Sequence, residues 1–165
     1  MTEKSINEVI SDLVTPGEVD RFSNPNEARK KAMDLLARRE HTRDELCRKL
    51  EKAGFDSEVA FDAIGALSDE GLQSDERFVE SFVQSRIKQG KGPARIRADL
   101  GHKGVRAAMI DAAIEEAGAD WCALARETRA RKFGPDLPDD FKEKARQMRF
   151  LQYRGFESDH IQSAF

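Results

Sequence analysis

The residues best suited to bind another molecule are the seven lysines and arginines within residues 86–106. Only one acid, Asp99, lies among them, so this window carries a charge of +6. A solvated helix face with internal salt bridges is the alternative interpretation, but a single acid is too small a complement for seven cations. Phosphates or an acidic protein surface would relieve the repulsion among them. The window therefore predicts a polyanion-contacting surface made of Arg86, Lys88, Lys91, Arg95, Arg97, Lys103 and Arg106.

A second group of cations extends this predicted surface to residues 126–132. A third group, within residues 29–39, is diluted by nearby acids. The net charge of the chain is −3, but residues 1–25 hold two cations against five acids, so the remainder is neutral overall. Local charge sets the field that a polyanion meets. The second group adds Arg126, Arg129, Arg131 and Lys132 to the predicted contacts.

The aromatic residues do not predict stacking on nucleic-acid bases. The phenylalanines near the cationic groups have the spacing of core residues. Contacts would then be made to the phosphate backbone, which carries no sequence information. The phenylalanines interpreted in this way are Phe78, Phe82, Phe150 and Phe156.

Enzymatic chemistry is poorly supported. The three histidines are scattered over the chain and none has a second histidine or a cysteine at the spacing of a metal site. The segment Gly90-Lys91-Gly92 is glycine-rich but lacks the spacing of a phosphate-binding loop, and no strand precedes it. No nucleophile stands beside a candidate base. We predict a protein that is not an enzyme and has no metal and no cofactor.

Composition places the chain among charge-rich soluble proteins. Its charged fraction is 36%, and no apolar run is long enough to span a membrane. Cys47 and Cys122 form no Cys-x-x-Cys pair and predict reduced thiols in the cytoplasm. We expect a cytoplasmic monomer.

A set of landmarks repeated three times predicts the elements that carry these side chains. Each repeat has a leucine four residues before a glycine, and apolar residues one, six and ten residues after it. Glycine in a left-handed conformation ends a helix, and apolar residues four apart form the core stripe of the next. The glycines are Gly54, Gly104 and Gly155, and the leucines are Leu50, Leu100 and Leu151.

The landmarks predict an all-α fold with three tandem three-helix repeats in an elongated, curved array. We place the repeats at residues 25–73, 74–118 and 119–165, after an acidic, mobile tail at residues 1–24. Soft joints are expected at residues 71–75 and 117–120. The last helix, from Ser158, is short because the sequence ends at Phe165.

The chain resembles the RecX family, the bacterial regulators of the RecA recombinase. The matching residues extend from Ala28 to Ile161 and hold the repeat register. They include Leu35-Leu36-Ala37-Arg38-Arg39-Glu40-His41, Gly92-Pro93-Ala94-Arg95-Ile96, Lys103-Gly104, Asp120-Trp121, Arg149-Phe150-Leu151 and Tyr153-Arg154-Gly155-Phe156.

This resemblance implies binding in the groove of the RecA filament on single-stranded DNA. Family members limit filament extension, and so lower ATP hydrolysis and strand exchange, within DNA repair, recombination and the SOS response. Direct, sequence-independent DNA binding without an obligate protein partner is the open alternative. A helical adaptor that leaves RecA unaffected is a third.

Overall fold

A computed structural model describes residues 21–165, and within them the chain is helical without any strand. This confirms the predicted all-α class. Residues 1–20 of the predicted acidic tail lie outside the described residues. After a short helical segment at residues 21–23, nine helices follow: α1 Pro25–Leu36, α2 Arg43–Lys52, α3 Ser57–Asp69, α4 Asp75–Lys88, α5 Pro93–His102, α6 Ala107–Ala117, α7 Trp121–Phe133, α8 Phe141–Tyr153 and α9 Ser158–Ser163.

The repeated glycines form three equivalent helix ends. Their φ angles are 109°, 79° and 96° at Gly54, Gly104 and Gly155, in the left-handed region that only glycine adopts without strain. In each corner the residue after the glycine donates its amide hydrogen to the carbonyl of the leucine, at 3.1–3.2 Å. This bond closes a Schellman turn. It explains why the leucine and the residue after the glycine keep a fixed spacing.

Three hydrophobic cores correspond to the three repeats. The buried members of the first core come from residues 28–67, those of the second from 78–114, and those of the third from 125–164. The leucine of each corner, Leu50, Leu100 or Leu151, is fully buried in its own core. The landmark residues are therefore core residues, as their spacing predicts.

The described chain contains two compact units, one ending at Asp75 and one from Glu76 to Phe165. The second unit holds both the α4–α6 and the α7–α9 core. The predicted soft joint at residues 117–120 is spanned by Trp121, which packs against both of these cores. Its indole therefore links the two cores where a bend was expected.

A buried polar network organises the first unit. The Gln73 amide donates to the His41 carbonyl at 3.2 Å and to Asp75 Oδ1 at 2.9 Å. Thr42 caps the start of α2, since its hydroxyl accepts from the Glu45 amide at 3.0 Å. Phe22, near the end of the predicted tail, meets Phe55 edge to face with ring centroids 5.6 Å apart.

His41 makes the stability of this unit depend on pH. The ring is 2% exposed, Nδ1 donates to the Arg39 carbonyl at 2.9 Å, and Nε2 accepts from Lys49 at 3.4 Å. Burial lowers the pKa of His41, and the hydrogen bond to the Arg39 carbonyl opposes this effect. The positive charges of Arg39 and Lys49 lower the pKa further, while Glu45 raises it. The unfolded chain therefore takes up a proton at a higher pH than the folded chain, so stability falls as pH drops below about 6.5.

Urea unfolding between pH 7.5 and pH 5 measures this effect. The midpoint should fall more steeply for the unmodified protein than for a His41→Asn variant. Replacement of the exposed His102 by asparagine supplies the control and should leave the slope unchanged. Parallel pH profiles for all three proteins would contradict the role of His41.

Candidate polyanion-binding surface

The surface with the most concentrated positive charge lies where α5 begins against the end of α8. The Gly92 amide donates to the Arg154 carbonyl at 2.8 Å, and the Ala94 amide donates to the Gly155 carbonyl at 3.0 Å. Pro93 at the first helical position needs no such partner. The carbonyls at the end of α8 therefore satisfy amides that the start of α5 would otherwise leave unpaired.

Two glycines allow the backbones to approach this closely. A methyl group at Gly92 would overlap the backbone of Gly155 and Phe156. One at Gly155 would overlap Arg95, including its backbone nitrogen. Gly155 thus both ends α8 and forms the close contact between the second and third repeats. A residue with a side chain could not take both roles at this position.

Four cations lie at this junction, and two of them share one carboxylate. Arg86 and Arg95 both pair with Asp99, with their Nε atoms 3.8 and 3.2 Å from its oxygens. Arg154 donates through Nη1 to the Gln89 carbonyl at 3.1 Å, which places its guanidinium beside the loop that carries Lys91. We call Arg86, Lys91, Arg95 and Arg154 the junction cluster.

The pKa of Lys91 reflects the positive charge of the junction cluster. Its side chain is half-buried, and burial is the largest of the effects that lower its pKa. Arg154, Arg95 and Arg86 lower it further, while Asp99 opposes them. One carboxylate therefore does not neutralise the cluster, and an anion bound here would stabilise the charged form of Lys91.

The other predicted residues of the window divide into paired and unpaired cations. Arg97 bonds Asp111 at 3.1 Å and Glu157 at 2.9 Å, so acids outside the window neutralise it. The charge count of the window alone did not include these two acids. Lys88, Lys103 and Arg106 are exposed and form no ion pair with any of residues 21–165.

Helix α7 divides its four predicted residues in the same way. Arg126, Arg131 and Lys132 are exposed. Arg129 is 4% exposed and donates to the carbonyls of Ala164, Asp136 and Pro135 and to Gln147 Oε1 at 3.1–3.4 Å. Its assignment to the binding surface was wrong, because the guanidinium is enclosed and its donors are in use.

The sequence contained a signal both for the burial of Arg129 and for the presence of Arg154 in the junction cluster. Arg129 lies four residues after Ala125 and eight after Trp121, so it continues the apolar stripe of α7. Arg154 was missing from the predicted surface because it lies outside both cationic windows. Its position directly before the third glycine corner could have indicated it.

The phenylalanines near the cluster have the positions that their spacing predicts. Phe78 and Phe156 are buried, while Phe82 and Phe150 are half-buried. The Arg86 guanidinium lies over the Phe82 ring, 4.3 Å from its centroid. The aromatic ring thus holds Arg86 in place as part of the cluster.

One group of possible metal ligands lies close together among the described residues: Glu157, Asp159 and His160. Glu157 already pairs with Arg97, and its amide donates to His160 Nδ1 at 3.1 Å. These contacts fix the start of α9, and they account for the grouping without an ion.

Comparison with known proteins identifies the family. Sequence models of the first, second and third three-helix domains of RecX match residues 28–67, 74–114 and 119–165. The chain belongs to the RecX family. Each match falls within one of the three predicted repeats, and the chain's membership agrees with the resemblance drawn from its motifs.

Individual RecX relatives are similar over most of their length. The regulatory protein RecX of Ectopseudomonas mendocina is 49% identical over 140 residues, covering 85% of this chain and 93% of the relative. The RecX of Halorhodospira halophila is 47% identical over 133 residues, covering 81% and 83% of the two chains.

Solved structures of RecX proteins share the fold. A crystal structure of a regulatory protein RecX superimposes with a TM-score of 0.72 at 20% identity, covering 99% of this chain and 78% of that one. RecX from Lactobacillus salivarius gives 0.69 at 23% identity, covering 85% and 93%. Among the described residues of this RecX-family chain, no helix is both long and apolar enough to cross a bilayer.

Proposed function

We propose that this protein regulates RecA by binding in the groove of the RecA filament on single-stranded DNA. The junction cluster would contact DNA phosphates or an acidic RecA surface, and binding would limit filament extension, ATP hydrolysis and strand exchange. We further propose that the protein acts as a cytoplasmic monomer without catalytic activity of its own. Membership of the RecX family supports the partner, and the uncompensated charge around Lys91 supports the site.

The observation that carries this proposal is the junction of α5 with the end of α8. Its backbone bonds and its two glycines fix the cations on a rigid support. A fixed cluster loses less conformational entropy on binding than cations on separate flexible chains would. Because Asp99 pairs with only two of the four cations, the cluster keeps a net positive charge that attracts an anionic partner.

Assembly experiments test the RecA proposal directly. RecA is assembled on single-stranded DNA in the presence or absence of this protein, and filament length is measured by electron microscopy. Shorter filaments are expected when the protein is present during assembly. Unchanged length at saturating protein would favour the helical adaptor and would contradict the regulatory role.

Direct DNA binding is the second candidate, favoured by Lys88, Lys103 and Arg106, which are exposed and form no ion pair within residues 21–165. Fluorescence anisotropy with labelled single-stranded DNA, repeated over a range of salt concentrations, separates the two candidates. Four phosphate contacts should give a slope of log K against log salt of about −3. Reversal of two cluster charges with Lys91→Glu and Arg95→Glu should reduce the magnitude of this slope by about 1.5. Loss of DNA binding with retained filament shortening would exclude direct DNA binding as the mechanism.

A further inference from the structure

The first unit carries a groove between α2 and α3 that the proposed function does not use. Its volume is about 810 Å³, within the range of about 300–1,000 Å³ that is usual for binding sites. All of its lining belongs to the unit that ends at Asp75. The lining residues are Arg43, Asp44, Cys47, Glu51, Ser57, Glu58, Phe61, Asp62 and Asp75.

The apolar part of the groove is centred on Phe61. This side chain is 57% exposed, which is high for a phenylalanine in a chain whose other aromatic residues mostly pack into cores. Arg43 covers one face of the ring, with its guanidinium carbon 4.8 Å from the centroid. The arginine therefore holds the ring in position while much of its surface stays available to a ligand.

The charge of the groove is strongly negative, with five carboxylates against the single guanidinium of Arg43. Asp75 accepts from the Arg43 amide at 2.8 Å, and Asp44 pairs with Arg48 at 3.0 Å. The other three carboxylates are exposed and form no ion pair with any residue in the 21–165 range. They are Glu51, Glu58 and Asp62.

The thiol pKa of Cys47, which lines the groove, reflects this negative charge. Burial is the main cause that raises the pKa of its thiol, and the carboxylates of Glu51 and Asp44 raise it further against the opposing effect of Arg43. The thiol is therefore kept protonated, which disfavours thiolate chemistry in the groove.

We propose that the α2–α3 groove binds a lysine- or arginine-rich segment of a partner protein. Its cations would meet Glu51, Glu58 and Asp62, and an apolar side chain between them would pack on Phe61. Charge complementarity selects this occupant. The chain's own residues 1–20 hold one cation against five acids, so the same carboxylates would repel them. This site is opposite in sign to the junction cluster and goes beyond the function proposed for it.

Fluorescence anisotropy with a labelled Lys-Arg-Lys-Leu-Lys-Arg-Lys peptide tests the groove. The full-length protein should bind it with an affinity that falls as salt rises. A Glu58→Lys/Asp62→Lys double variant should bind at least about tenfold more weakly, because two attractive contacts become repulsive. Phe61→Ala should weaken binding of this leucine-containing peptide. It should not weaken binding of a version with glycine in place of leucine.

The matched control changes charge by the same amount on the same unit. Asp34 and Asp69 are exposed and lie outside the groove lining, and Asp34→Lys/Asp69→Lys should retain binding. An equal loss of peptide affinity in both double variants would mean that net charge alone governs binding, and would overturn the proposal. So would failure of the full-length protein to bind the peptide at low salt. Sedimentation of the protein alone tests whether a second copy of the chain occupies the groove. Dimers that are abolished by Glu58→Lys/Asp62→Lys would show this and would overturn the proposed partner.

Discussion

Replacement of Gly155 by alanine should lower the free energy of unfolding of the second unit by about 2–5 kcal/mol. The left-handed backbone alone costs an alanine about 1–2 kcal/mol. Its methyl group would also overlap the backbone of Arg95, and such overpacking adds about 1–3 kcal/mol. Urea unfolding followed by circular dichroism measures the loss.

Gly118 provides the control for the backbone term. It has φ 58° in the same unit, and the nearest atom to an added methyl group is 3.9 Å away. Gly118→Ala should therefore cost only the conformational part. Equal losses for the two variants would mean that the α5–α8 contact is not close, and would remove the rigid support of the junction cluster.

Replacement of Arg129 by methionine should destabilise the third repeat by about 3 kcal/mol. The change removes donors from two buried acceptors, the Ala164 carbonyl and Gln147 Oε1, and from the part-buried carbonyls of Pro135 and Asp136. A buried acceptor costs about 1–3 kcal/mol when left unpaired, and local rearrangement recovers part of this. Lysine should fail to rescue stability, because one ammonium group cannot reach all the acceptors that lie around the edge of the guanidinium.

Arg126 is the matched control for this prediction, since it lies on the exposed face of the same helix. Arg126→Met should change the urea midpoint little. If Arg129→Met left stability intact but weakened DNA or RecA binding, Arg129 would be a surface contact after all. That result would contradict its burial.

The sequence predicts the helical corners well because their geometry is local. A glycine with positive φ and an amide bonded five residues back to a leucine carbonyl are determined within one helical turn. The same spacing places Leu50, Leu100 and Leu151 in the cores. Such short-range constraints can therefore be recognised from the spacing of residues in the sequence.

The composition of the candidate site was less predictable because it depends on contacts between distant segments. Arg97 is neutralised by Glu157, sixty residues away, and Arg154 joins the junction cluster through the Gln89 carbonyl. Residue type shows that a side chain is cationic but not which neighbours the fold brings to it. Arg129 shows the same limit, since its charge suggested a surface and its position on the α7 stripe determined its burial.

The most direct test of the junction cluster is the rate of ATP hydrolysis by RecA on single-stranded DNA. The unmodified protein should lower this rate, and Lys91→Glu/Arg95→Glu should require at least about tenfold more protein for the same effect. Lys30→Glu/Lys31→Glu changes two exposed lysines of α1 by the same total charge and should inhibit like the unmodified protein. Equal inhibition by both variants would contradict a role for the junction cluster in RecA regulation.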